Sequence, residues 1–222
     1  MIPQELIEKG RYWTKAWSLK DRLNIPLKTR KPQVFAIWSD LFHEAVPDKF
    51  IEKAYEVMLD TEKHTYLILT KRPERLYQFY DAHRDALQFS GVLDSIWHGT
   101  TVENQEQADK RIPELLKVPG KKFLSVKPML GEIDITHDLI RVKGMTFKSD
   151  EIYAPFSQVI CGSESGYNRR LTNIEWVESL AEQCKVATVP IFIKQLTING
   201  KVSRDISEWP INLRRRELVW RV

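Results

Sequence analysis

The feature that most constrains the fold is an alternation of two periodicities. Short segments rich in β-branched and aromatic residues recur at Val34–Trp38, Thr65–Thr70, Ser95–Thr101, Lys122–Val126, Gln158–Cys161 and Pro190–Ile193. Most are followed by a stretch whose apolar residues fall at helical spacing. Pro47 opens one such stretch through Phe50, Ile51, Ala54, Tyr55, Val57 and Met58, and Pro73 opens another through Leu76, Phe79 and Tyr80. Asn104 and Asn173 are placed as N-caps of two more, the first of which Pro113 is expected to interrupt. Strand–helix alternation of this kind predicts an α/β fold, an open, mostly parallel sheet with flanking helices. A weaker strand is expected at Tyr12–Leu19, an inserted loop between Ile135 and Phe156, and a small hairpin at Thr197–Val202, where Asn199-Gly200 suits a type I′ turn.

Composition is compatible with one folded domain, since 42% of the 222 residues are hydrophobic and 29% are charged. No apolar run reaches the roughly 18 to 20 residues of a membrane helix. The first ten residues lack the apolar core of a secretory signal. A cytoplasmic protein without a membrane partner is therefore expected. Two cysteines, Cys161 and Cys184, cannot build a disulfide framework and read as reduced structural thiols. The net charge of +4 neither demands nor excludes nucleic acid. Arg214-Arg215-Arg216, between Trp209 and Trp220, reads as a solvated helix end, with a phosphate-binding patch as the alternative.

Parallel strands are buried on both faces, so polar chemistry collects where they emerge at their carboxyl ends. The six strands here end in Ser39-Asp40, Thr70-Lys71-Arg72, Thr101-Val102-Glu103-Asn104, Ser125-Val126-Lys127, Gly162-Ser163-Glu164-Ser165-Gly166 and Lys194-Gln195. A single carboxylate after a strand ordinarily caps the next helix. Six strand ends of this character mark one edge as the place for a site. There Asp40, Glu103 and Glu164 could hold a cation or an ammonium group, and Lys71, Arg72, Lys127 and Lys194 could meet a carboxylate or phosphate. The Gly162–Gly166 loop lets backbone N–H groups turn toward a ligand, but it is neither a P-loop nor a nucleophile elbow, because Glu164 stands where the elbow has serine. Ligand binding is favoured there over nucleophilic catalysis by Ser163 or Ser165. His43 and Glu44 follow Asp40, while His64, His83, His98 and His137 lack metal-ligand spacing, so no metal site is expected.

Five strings, Ser39-Asp-Leu-Phe-His-Glu-Ala-Val-Pro47, Leu69-Thr-Lys-Arg-Pro-Glu-Arg75, Thr101-Val-Glu-Asn-Gln-Glu-Gln-Ala-Asp109, Pro128-Met-Leu-Gly131 and Gly162-Ser-Glu-Ser-Gly166, resemble the phage-associated three-cysteine-motif proteins, a radical-SAM-like family. The resemblance runs in order from about residue 9 to residue 196. It implies a partial TIM-type (βα)6 barrel, with S-adenosylmethionine and a four-iron cluster at the strand ends. Residues 1–196 would form that barrel and residues 197–222 a hairpin and extension. The cofactor-binding set it suggests is Ser39, Asp40, Thr101, Glu103, Ser125, Gly162, Ser163 and Glu164. Lys71, Arg72, Lys127 and Lys194 are then the substrate or phosphate contacts. The compartment becomes the cytoplasm of a phage-infected or prophage-bearing bacterium.

The chain departs from that pattern where it matters chemically. In the family, three cysteines in the loop after the first strand hold the cluster. Here Leu19 joins through Lys20-Asp-Arg-Leu almost directly to Asn24-Ile-Pro, as if that loop and its helix had been deleted after Leu19. Lys127 stands where the family usually has an acidic residue. The expectation is a chain without a site-bound iron–sulfur cluster and without radical turnover of its own. It would bind S-adenosylmethionine, another nucleotide-like ligand, nucleic acid or a host or phage protein at the strand-end edge. The competing expectation is a radical S-adenosylmethionine enzyme of which this is a deleted or partial chain. Loss of a crossover helix would also expose apolar surface and favour a homo-oligomer.

Overall fold

The computed structural model describes residues 23–220 apart from 38, 85–93, 140, 143–151 and 154. The strand expected at Tyr12–Leu19, the first residues of its link to the next strand (20–22) and Trp38 lie outside the described residues, while the rest of that link holds a one-turn helix.

The elements run in the order α1 (Ile25–Lys28), β1 (Val34–Ile37), α2 (Asp48–Leu59), β2 (Thr65–Thr70), α3 (Pro73–Ala82), β3 (Ile96–Thr101), α4 (Gln105–Leu116) and β4 (Lys122–Val126). They continue with α5 (Thr136–Leu139), β5 (Arg141–Val142), β6 (Ile152–Tyr153), β7 (Gln158–Cys161), α6 (Ile174–Val186), β8 (Ile191–Ile193), β9 (Leu196–Ile198) and β10 (Lys201–Ser203). Six of the strands form one sheet in the order β1-β2-β3-β4-β7-β8, every pair parallel. The sheet curls into an open half-barrel, so the expected α/β architecture is the observed one. Strands that pair in sequence order leave each connection spanning a single neighbour.

Local chemistry sets the helix starts. The Asn104 side-chain oxygen accepts from the Gln107 N–H at 3.0 Å and that of Asn173 from the Glu175 N–H at 3.2 Å, each satisfying an N–H with no partner in its helix. Pro73 occupies the first position of α3, where its missing N–H costs nothing. Pro113 does not interrupt α4, contrary to expectation; the helix runs through it to Leu116. Ile112 and Leu115 are fully buried on either side, and Asp109, whose carbonyl loses its donor, is exposed to water. Packing on both flanks thus outweighs the proline penalty of about 3 kcal/mol. The inserted stretch after Ile135 contains α5 and a small antiparallel pair, β5 with β6. At the β9–β10 turn Asn199 and Gly200 both take positive φ, 48° and 72°, as a type I′ turn requires.

Because side chains alternate along a strand, the sheet has two distinct faces. On the helix side Tyr66, Ile68, Ile96, Leu124, Val126, Val159, Cys161, Ile191 and Ile193 join the buried residues of the helices in one core. The concave side carries a second, smaller cluster of Leu67, Trp97 and Phe123, with Val34, Leu69 and Ile160 around it. The Phe123 ring lies flat over Gly99, so close that a Cβ at residue 99 would meet it at 2.4 Å. Trp220 closes this cluster edge-on, its ring centre 5.4 Å from Trp97 and 6.0 Å from Phe123.

The tryptophan is held there by main-chain bonds. The Ile193 N–H donates to the Arg215 carbonyl at 2.9 Å and the Glu217 N–H to the Ile191 carbonyl at 3.1 Å, which closes the edge of β8. Gln158, wholly buried, then donates to the Glu217 carbonyl at 2.8 Å and accepts from the Val219 N–H at 3.2 Å. Arg214-Arg215-Arg216 lies on this path at the end of a helical turn, with Arg214 and Arg216 exposed as expected and Arg215 half-buried. The run leaves a short 3₁₀ turn (Ile211–Leu213), and its guanidinium groups are bound to carbonyls of Trp209, Ser207, Ala181 and Arg204.

Two expectations follow for stability. Gly99→Ala should cost roughly 1–3 kcal/mol in urea denaturation by overpacking, and Phe123→Leu in the same chain should recover part of the loss. His98 is fully buried, its Nε2 2.7 Å from the Tyr55 hydroxyl and its Nδ1 without a partner; burial, then Lys122, pushes its pKa down to about 3. A folded pKa below the unfolded one gives stability that is complete above about pH 6.5 and lost as pH falls toward 3. His98→Asn should flatten that limb of the stability–pH curve.

Candidate functional site

All six strands of the sheet point their carboxyl ends to one edge. Thr101 and Ser125 are register partners on β3 and β4, both buried on the concave side, and Glu103 and Lys127 follow two residues on. The polar residues of this edge form three groups.

At the β1–β2 end, Asp40 is saturated by its own chain. Its oxygens accept from the Thr70 hydroxyl at 2.6 Å, the Phe42 N–H at 3.1 Å, the Lys71 N–H at 3.1 Å and the Arg72 guanidinium at 2.8 Å. Arg72 also reaches Glu44 at 2.9 Å. Ser39 lies half-buried beside this knot. Arg75, one turn into α3, binds the carbonyls of His43 and Val46 and the Asp48 carboxylate, fixing the loop between β1 and α2.

At the β2–β3 end, Glu103 is 8% exposed and sits between Lys71 and Arg111. Arg111 binds it at 2.7 Å and donates at 2.6 Å to the Thr101 carbonyl. Burial alone would raise the Glu103 pKa, but the two cations outweigh it and hold the carboxyl below its ordinary value. To meet a ligand cation, Asp40 or Glu103 would have to surrender these bonds.

The third group, at the ends of β4, β7 and β8, is different. Lys127, whose peptide bond to Pro128 is cis, is half-buried with Lys194 and Arg204 near it. Burial pushes the Lys127 pKa down, and the charges of Lys194 and Arg204 push it further. The neighbouring carboxylate, Glu164, is taken by Arg170 through two guanidinium bonds of 2.9 and 2.7 Å and a main-chain bond of 2.7 Å, which hold its pKa down to about 2. Among the described residues no carboxylate pairs with Lys127, Lys194 or Arg204. Gln195 is fully buried beneath them. Its amide donates to the Ser163 carbonyl at 2.8 Å and its oxygen accepts from Arg204 at 3.3 Å. The Ser163 hydroxyl is fully buried with no hydrogen-bond partner. Gly162 lets the two strand ends approach, since a Cβ there would lie 3.2 Å from the Gln195 carbonyl oxygen.

Sequence reasoning placed Asp40, Glu103, Lys71, Arg72, Thr101, Ser125, Lys127, Ser163, Glu164 and Lys194 on this edge, and all lie there. It missed Arg111, Arg170 and Arg204. Arg111 belongs to α4, and its helical spacing from the strand end was the available signal. Arg170 lies in a loop and Arg204 follows a hairpin, where no periodicity points at a partner.

A three-cysteine cluster does not fit these residues. It needs three thiolates. The chain has two cysteines, both buried, and burial pushes each thiol up to about 12. Among the described residues no group of three His, Cys, Asp or Glu side chains is placed to hold a metal ion.

The Asp40 knot ties β1 to β2, so Asp40→Ala should lower stability by about 1–3 kcal/mol in urea denaturation, because it leaves Arg72 and the Thr70 hydroxyl short of partners. No curated protein and no solved structure matches the chain. Among the described residues no helix is long and apolar enough to cross a membrane. A comparison with protein families matches residues 5–209 to one described as "Protein of unknown function (DUF5131)". That match spans nearly the whole sequence, and the chain belongs to this family.

Proposed function

We propose that this chain is a binding protein that seats the anionic group of a nucleotide-like ligand at the ends of β4, β7 and β8, as a cluster-less relative of the radical-SAM-like proteins it resembles. The observation that carries this reading is the convergence of Lys127, Lys194 and Arg204 beside a carboxylate, Glu164, already neutralised by Arg170. Keeping the half-buried Lys127 charged beside the exposed Lys194 and Arg204 costs free energy, and an incoming phosphate or carboxylate relieves it. Asp40 and Glu103 carry no such unsatisfied charge, since each already meets two or more donors. The buried Gln195 amide joins Arg204 to the main chain of Ser163, whose hydroxyl is buried and unpartnered.

The radical-enzyme alternative gains nothing from the cysteines, which are too few and too deeply buried to hold a cluster of the family type. Ancestry of that kind is compatible with a strand-end edge kept for ligand binding alone.

Titration calorimetry with pyrophosphate, ADP and S-adenosylmethionine tests the proposal. At least one should bind, and Lys127→Ala with Lys194→Ala should weaken it about tenfold or more, as loss of charge-assisted bonds predicts. No heat from any of the three at millimolar concentration would refute the reading. Anaerobic reconstitution with iron and sulfide should leave the chain colourless; a brown cluster spectrum would overturn the cluster-less assignment.

A further inference from the structure

Next to the three cations in the chain are a fastened loop and a hairpin whose exposed residues suit a ligand larger than a mononucleotide. Residues 163–172 form a loop that stands over the strand ends and is fastened at several points. Arg170 clamps Glu164, and the Thr172 hydroxyl donates to the Met129 carbonyl at 2.9 Å. Arg169 bridges the Gly166 carbonyl at 3.4 Å and the Gly200 carbonyl at 3.2 Å, tying the loop to the β9–β10 turn. Gly166, at a φ of 133° open to few residues other than glycine, turns the chain there. The next residue, Tyr167, is 94% exposed. A loop held this firmly thus presents an aromatic ring to water, and no side chain of the described residues packs against it.

Cations continue past the ring. Lys201 follows Gly200 on the turn that Arg169 holds and is exposed without a carboxylate partner among the described residues. Gln195 links Ser163, at the base of the loop, to Arg204, just after β10. Lys127, Lys194 and Arg204 are thus joined through Gln195 to the base of the loop that carries Tyr167, and Arg169 joins the same loop to the turn that carries Lys201. Spaced cations beside an exposed, rigidly presented ring are what a flexible phosphate backbone with unpaired bases requires: charges track the phosphates, and a base stacks on the ring. Duplex bases are already stacked on each other and could not use the ring. An acidic peptide would use the charges but not the stacking.

We propose that this face binds single-stranded nucleic acid, its phosphates against Lys127, Lys194, Arg204 and Lys201 and a base against Tyr167. The proposal rests on the anion seat described above and extends it along the strand.

Fluorescence anisotropy with a labelled twelve-nucleotide oligothymidylate, run across a salt series on the full chain, tests it alongside calorimetry with pyrophosphate. The oligonucleotide should bind at least tenfold more tightly than pyrophosphate, and affinity should fall with log salt at a slope of about −2 to −3, as three or four neutralised phosphates on a single strand predict. Tyr167→Ala should weaken the oligonucleotide about 5- to 100-fold and leave pyrophosphate unchanged, while Tyr167→Phe keeps the affinity. Lys201→Glu should likewise weaken only the oligonucleotide. Pyrophosphate binding that depends on Lys127 and Lys194, with oligonucleotide no tighter and indifferent to Tyr167, would overturn this inference and leave the anion seat standing. Oligonucleotide binding untouched by Lys127→Ala with Lys194→Ala would overturn this inference, and pyrophosphate binding equally untouched would overturn the anion seat as well. Competition by polyglutamate as effective as by unlabelled oligonucleotide would reassign the face to acidic protein and also sink the proposal.

Discussion

This half-barrel of parallel strands has two faces to keep from water and, among the described residues, crossover helices packed on only one of them. That constraint shapes the rest of this molecule. On the convex side α2, α3, α4 and α6 bury the alternate residues of the strands in one large core. A closed barrel would fill its own concave side with strands from the opposite wall, but a half-barrel has no opposite wall. Here Phe123 lies down over Gly99, Trp97 stands beside it, and Trp220 is brought back by the C-terminal segment to cover both. Gln158, a buried polar residue within this face, fixes the segment, since its amide satisfies both a carbonyl and an N–H of the returning chain.

The same geometry leaves the upper part of the concave side polar. Charged groups that emerge together there repel or pair according to sign, and the chain has sorted them. The β1–β2 and β2–β3 ends are knotted by Asp40 with Arg72 and by Glu103 with Lys71 and Arg111. These bonds hold neighbouring strand ends together. At the β4–β7–β8 end the sorting is incomplete: Arg170 takes the carboxylate, and among the described residues Lys127, Lys194 and Arg204 are left without a carboxylate in salt-bridge contact. An uncompensated charge cluster beside a buried, unpartnered hydroxyl and a pre-oriented amide is poor for folding and well suited to an anion. Function is therefore read from the part of the edge that folding alone does not account for.

The C-terminal arginines illustrate how tertiary context reassigns a sequence motif. Three adjacent arginines between tryptophans suggest an exposed basic patch. In the fold each guanidinium is bound to main-chain carbonyls, and Arg216 lies over the rings of Phe192 and Trp209. Arg214 and Arg216 stay exposed, and further basic surface comes from single residues scattered through the sequence, at 127, 169, 194, 201 and 204, which the packing of a loop against a hairpin helps bring together.

By itself the sequence determined the alternation of strands and helices, the caps at Asn104 and Asn173, the Asn199-Gly200 turn and the edge on which polar residues gather. Those are local properties: side-chain periodicity, capping chemistry and backbone freedom act over a few residues, and parallel strands necessarily emerge at one end. Only the tertiary structure decided that α4 continues through Pro113, because burial of Ile112 and Leu115 comes from elements far away in the chain. Only it decided which charges at that edge are spent and which are left. Asp40 meets Arg72 and Lys71 meets Glu103 across more than thirty residues, at distances that no spacing in the sequence encodes. Electrostatic pairing depends on separation in space, and the fold alone sets that.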